Sequence, residues 1–230
     1  MYPVPRMKVK QFRWLFIGAL AAFVILGFVS KLPTMGASVG WTNGRYRFAG
    51  GTTPWALAYA LLVMGLYILL MYAPPSDQGP ALPGVFRRFV AFWLDFMLAM
   101  FALTPILGII PAITEWRRTG VFAWNFERTT AAPSDTLVAA TILTFCSIAL
   151  VLYYVLPLIR RKPSPGGCIV GYQIIPDEGT TLPFRTAVLR TLLGFIAVWG
   201  AYVAPFVARD RKNGKFWLDK VFGTRAIMLS

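Results

Sequence analysis

The feature that most constrains this chain is a series of long stretches without a charged residue. Thr136–Ile159 holds 24 residues with none, and Pro54–Ala73 holds 20. A helix that crosses the ~30 Å hydrocarbon core needs about 20 mostly apolar residues, at about 1.5 Å of rise each. Each run therefore reads as a membrane span. Trp14–Ser30 is another, preceded by Arg6, Lys8, Lys10 and Arg13. It exceeds the ~7–15 apolar residues of a cleaved secretory signal, and no clear small-residue cleavage site follows, so it reads as a retained signal-anchor. A further run extends from Phe89 to Thr114, interrupted only by Asp95, with Pro105 and Pro111 as points of kinking or ending. The last, Thr191–Ala208, is weakened as a straight helix by Gly194, Gly200 and Pro205.

Composition narrows the chemistry. Only 14% of the residues are charged, against about 25% in soluble domains. The net charge of +14 does not point to nucleic acid, because such a binder clusters its charge on a soluble scaffold. The chain has no His. That removes His-ligated haem, His-containing zinc sites and a Ser-His-Asp triad. Cys146 lies in an apolar run and Cys168 in a polar loop, so neither a disulfide nor a metal site is expected from them. Ser, Thr and Cys have no nearby base. The expectation is a chain with no cofactor, no metal and no catalysis.

The basic residues set a topology, since Lys and Arg collect on the cytoplasmic side. Four spans place the N-terminus and the loops 74–88 and 160–190 inside. If the fifth run dips in and returns, or lies in the interface, the tail with Arg209, Arg211, Lys212, Lys215, Lys220 and Arg225 joins them. Seventeen of the 23 Lys and Arg then share one face, which fits the charge rule better than a full crossing. Two short strands, Cys168–Ile175 and Thr180–Phe184, are expected around the turn at Pro176–Gly179. Thr224–Leu229 is a third strand-like stretch, and a small sheet joining loop to tail would give each strand a partner. The outer loop 32–53 reads as a short ordered turn or an interaction surface. The predicted fold is thus an all-α polytopic membrane protein with four to five transmembrane helices and a small cytoplasmic β-hairpin element.

Four motifs occur in order along residues 83–230. Phe86-Arg87-Arg88 leads to Asp95 seven residues after Arg88. Ser164-Pro165-Gly166-Gly167-Cys168-Ile169-Val170-Gly171 has the form T-x-G-K-x-x-x-G, with Ser164 for Thr and Gly167 for Lys. Arg190 precedes the last apolar run. Leu218-Asp219-Lys220-Val221-Phe222-Gly223-Thr224 has the form H-D-K-x-x-G-T, with Leu218 for His. Together they resemble the RDD family of bacterial membrane proteins. The resemblance implies a membrane domain, sometimes linked to transport or cation/proton exchange and sometimes a partner in larger assemblies. Residues 1–82 lie outside it, as an N-terminal two-helix addition.

A carboxylate within a span costs roughly 2.5–3.5 kcal/mol on insertion scales, so Asp95 needs a partner, water or a proton. Arg88 is two turns away, too far to pair as i,i+4 residues do, and is expected to snorkel to the interface. Arg190 or a tail base such as Lys220 is then the expected partner of Asp95. Asp219 is expected to pair with Arg87 or Arg88, closing a clasp between helix and tail. Arg160, Arg161, Lys162, Arg209, Arg211 and Lys212 read as topology determinants that touch anionic lipid.

Two functions follow. The first is a non-catalytic accessory or assembly subunit of a larger complex in the bacterial cytoplasmic (inner) membrane, with a cytoplasmic N-terminus. Its partners are other membrane-protein subunits, anionic lipids or further copies of itself, and no nucleic acid. The alternative is a small transporter or cation/proton exchanger that uses Asp95.

Overall fold

The computed structural model describes residues 8–30, 36–42, 45–74, 78–79, 83–128, 133–177, 181–200 and 216–229. The chain forms two compact units. The first holds the described residues of 1–18, 66–98 and 151–230, and the second those of 19–65 and 99–150. Both units draw on residues from before and after position 82.

Helices dominate. α1 covers Val9–Ser30, α2 Pro54–Tyr72, α3 Val85–Thr119 and α4 Pro133–Arg160. Among the described residues, three helical stretches are long and apolar enough to cross a membrane: Pro54–Tyr72, Phe86–Thr119 and Asp135–Arg160. α2 starts where local chemistry directs. Pro54 sits at the first helical position, where its missing N–H costs nothing. The Thr53 hydroxyl accepts from the Ala56 amide at 3.2 Å, a normal N-cap. α3 is longer than its apolar run and passes Pro105 and Pro111 without ending. In apolar surroundings an opened turn would strand still more backbone groups than a proline does.

The second unit contains a three-stranded antiparallel sheet. β1 (Gly36–Thr42) and β2 (Arg45–Gly51) form a hairpin, and β4 (Asn125–Arg128) pairs with β2. The loop 32–53, read as a short ordered turn or an interaction surface, thus supplies two strands of a sheet. Arg128 fixes β4 to the helices. It lies 2.6 Å from Asp135 of α4 and 3.2 Å from Glu115 of α3.

The first unit contains the second sheet, in the order β3 (Gln78–Gly79), β6 (Thr224–Leu229) and β5 (Tyr172–Pro176). The register runs from Tyr172↔Met228 to Pro176↔Thr224. Loop and tail thus share a sheet, as the strand-like pattern of both suggests. Its boundaries differ from expectation. Residues Pro165–Val170 form a short helix, α5, so Cys168–Val170 of the expected strand are helical. Ser164 caps it, Pro165 follows the cap, and Gly171 ends it at φ 84°. That is the Ser-Pro start and left-handed Gly stop of a helix. The second expected strand is also absent from its described part. Residues 181–183 are irregular and α6 (Phe184–Gly200) begins directly after Pro183, while Thr180 lies outside the described residues. α7 (Trp217–Val221) precedes β6. The all-α expectation accordingly becomes a mostly helical chain with two small sheets.

Candidate functional site

Polar side chains from four separate segments meet in the first unit. Arg88 extends from the first turn of α3, Asp219 from α7 and Arg190 from α6. The Asp219 carboxylate binds both guanidiniums, Arg88 Nη1 at 2.5 Å and Arg190 Nη2 at 2.8 Å. Arg190 Nε also donates to Thr224 Oγ1 at 3.2 Å, so the first residue of β6 joins the cluster. The Arg88 guanidinium lies 4.1 Å from the centre of the Phe216 ring. Asp219 is 1% exposed. Burial alone would raise its carboxyl, but Arg190 and Arg88 outweigh that and hold it below the ordinary carboxylate range. Arg88 therefore does not snorkel. It is drawn down to the tail because a buried carboxylate stabilises it better than the interface can.

Asp95, two turns further along α3, is also buried, at 3% exposure. Its partners are not the expected bases. Ser164 Oγ donates to Oδ2 at 2.5 Å. The Gly166 amide donates to Oδ1 at 2.6 Å, and Tyr153 OH reaches the same oxygen at 3.3 Å. Asp95 thus binds the start of α5, the helix end whose amides lack intrahelical acceptors. The approach is close. A Cβ on Gly166 would run into the Ala91 carbonyl and stand 2.8 Å from Asp95 Cγ. Tyr153 is itself held, stacked on Tyr67 at 4.7 Å, whose hydroxyl donates to the Tyr153 carbonyl at 2.8 Å.

Arg160, Arg161 and Lys162 close α4. Arg161 sits at φ 51°, and the Lys162 amide bonds back to the Pro157 carbonyl at 2.8 Å. This is a left-handed helix stop built without glycine. Gln173 Nε2 donates to the Arg161 carbonyl at 2.6 Å, tying the stop to β5. Lys162 Nζ donates to the Ala73 carbonyl just past α2. Burial pushes the Lys162 ammonium below its ordinary range. Arg160 lies 5.8 Å from the Tyr72 ring. Of these three among the six bases expected to touch lipid, Lys162 sets its side-chain nitrogen on an interior carbonyl, while Arg160 packs on the exposed Tyr72 ring. Arg209, Arg211 and Lys212 lie outside the described residues. Burial pushes the Cys168 thiol up to about 12, which leaves it a weak nucleophile.

A cavity of about 110 Å³ adjoins these residues, with Asp95, Lys162, Ser164 and Arg190 in its lining. The sequence pattern gives Tyr153, Gln173 and Thr224 no site role. Their hydroxyls and amide carry no charge pattern, and their contacts are set only when α4, β5 and β6 come together.

The structure therefore gathers Arg88, Asp95, Arg190 and Asp219 into two adjoining clusters on α3. No curated protein and no solved structure matches the chain. Residues 82–223 match the model of the RDD family, a span that contains Arg88, Asp95, Arg190 and Asp219. The match covers more than half of the chain, and with its apolar helices the chain belongs to the RDD family of membrane proteins.

Proposed function

We propose that this chain is a non-catalytic accessory or assembly subunit of a larger complex in the bacterial cytoplasmic membrane. One observation carries the reading. Both buried acids of the family motifs are committed to internal partners, Asp95 to Ser164, Gly166 and Tyr153, and Asp219 to Arg88 and Arg190. Such groups hold the loop and tail against α3, as a scaffold requires. They are not arranged as acid and base around a reacting atom. The long helices also present large apolar side chains outward, for example Leu137 and Leu143 of α4. Lipid or neighbouring subunits would cover them. The proposed arrangement has four to five spans, an N-terminus on the cytoplasmic side, and anionic lipid along the basic face.

A second reading, a small transporter or cation/proton exchanger, draws on a different observation: Asp95 lines a cavity. Extraction in mild detergent followed by native sizing separates the two. Co-migration with other subunits is expected. A homo-oligomer whose pH-dependent cation flux disappears in Asp95→Asn would instead establish the exchanger.

A further inference from the structure

The cavity beside Asp95 has apolar walls from Phe92, Tyr154 and Phe195 and a polar side from Lys162, Arg190 and Thr191. The charges around it are unequal. Two cations, Lys162 and Arg190, and one carboxylate, Asp95, line it. Asp219 is shared by Arg88 and Arg190. Asp95 is covered on both oxygens by Ser164, Gly166 and Tyr153, so its repulsion of an incoming anion is partly screened.

Lys162 is the group left over. Its ammonium has three N–H donors, and among the described residues its polar partner is one neutral carbonyl, that of Ala73. A half-buried cation without a counter-charge stands at a disadvantage that a bound anion would remove. Arg190 can contribute too. Two of its five N–H donors are engaged, by Asp219 and Thr224. The cavity volume, about 110 Å³, suits an oxyanion, since a water occupies ~30 Å³. It does not suit a whole lipid.

We propose that this cavity binds a phosphate-type oxyanion, with Lys162 and Arg190 as its cationic holders. A phospholipid headgroup is one source, because Lys162 lies two residues past the end of the apolar stretch Asp135–Arg160. The phosphate would then enter the cavity while the acyl chains stay outside along the apolar walls. Free inorganic phosphate is the other source. The site does not depend on the accessory role.

The test uses the full chain, delipidated in detergent, with its unfolding midpoint followed during titration. The probes are phosphatidylglycerol in mixed micelles, diacylglycerol as the phosphate-free control, and sodium phosphate against chloride at equal ionic strength. Saturable stabilisation by phosphatidylglycerol but not diacylglycerol assigns the lipid source. Saturation by sodium phosphate assigns the free anion. Either result supports the site only if two variants lose it. Lys162→Gln should weaken binding about tenfold, the usual worth of a charge-assisted contact. Gly194→Leu should abolish it by filling the cavity. Gly194 lines the cavity and a Cβ there meets nothing within 4 Å, and Leu favours helix over Gly, so this variant should fold. No saturable stabilisation by any phosphate probe, or wild-type affinity in either variant, overturns the proposal.

Discussion

Asp219 belongs to two arginines on different elements, and that shared geometry sets what its removal should do. The carboxylate is 1% exposed, and the Arg88 and Arg190 side chains are 14% and 11% exposed. Removing one partner of a buried pair leaves a charge uncompensated and costs roughly 3–5 kcal/mol. Asp219→Ala strands two cations and should be the most damaging change in the cluster. Arg88→Ala leaves Arg190 in place and should cost less. In a double-mutant cycle at neutral pH, Arg88 and Asp219 should couple by about 1–3 kcal/mol, read from unfolding in detergent. Additivity within about 0.5 kcal/mol would mean that the contact does not hold the tail. The sign of the pH dependence follows from the depressed carboxyl. A carboxyl lowered by folding contributes its full stability above its unfolded value of about 3.9. That contribution is lost as pH falls through its lower folded value. The coupling should therefore persist through mildly acidic pH and fade only in strong acid.

The elements show how far a sequence can be read and where it stops. The expected bounds Pro54–Ala73 and Thr136–Ile159 lie close to α2 and inside α4, because an uninterrupted apolar run leaves few alternatives in lipid. Strand Thr224–Leu229 and its need for a loop partner were also legible from its isolation. α5 was not. Its Cys168-Ile169-Val170 run favours strand locally, yet six residues give no helical period to set against that. Its identity depends on Ser164 and Gly171 at its ends and on Asp95 across from it. The β1–β2 hairpin was hidden by glycines, which break the alternation that marks a strand. Asp95 could be seen to need partners, but not which ones, because a hydroxyl and a backbone amide 69 and 71 positions away carry no charge to match. A pair of glycine substitutions tests this account of α5. Gly171→Ala forces a side chain into a left-handed residue with open space around it, at a cost of roughly 1–2 kcal/mol. Gly166→Ala drives a methyl into the Ala91 carbonyl and the Asp95 carboxylate. It should cost more, on the order of 3 kcal/mol, because overpacking and lost hydrogen bonds add. If thermal unfolding ranks the two the other way, α5 does not dock on Asp95 as described.

At the scale of the whole molecule, the sheet of the first unit restricts how the chain threads a bilayer. β3 follows α2, β5 follows α4, and β6 lies in the tail. Strands that share backbone hydrogen bonds cannot be separated by a hydrocarbon core, so these three segments must lie on one side of the membrane. The described α6 rises about 25 Å over its 17 residues, against a core of ~30 Å. A fifth run that dips in and returns, or lies along the interface, would be compatible with that placement. It would also keep 17 of the 23 Lys and Arg on a single face, as the positive-inside rule asks. A protease-accessible tag at the C-terminus should then be cleaved from the same side as one in the 74–84 loop, in both right-side-out and inverted vesicles. Cleavage of the two tags from opposite sides would require β6 to part from β3 and β5. The clasp around Asp219 would have to be rebuilt with it, because α7 and β6 are joined only by Phe222 and Gly223.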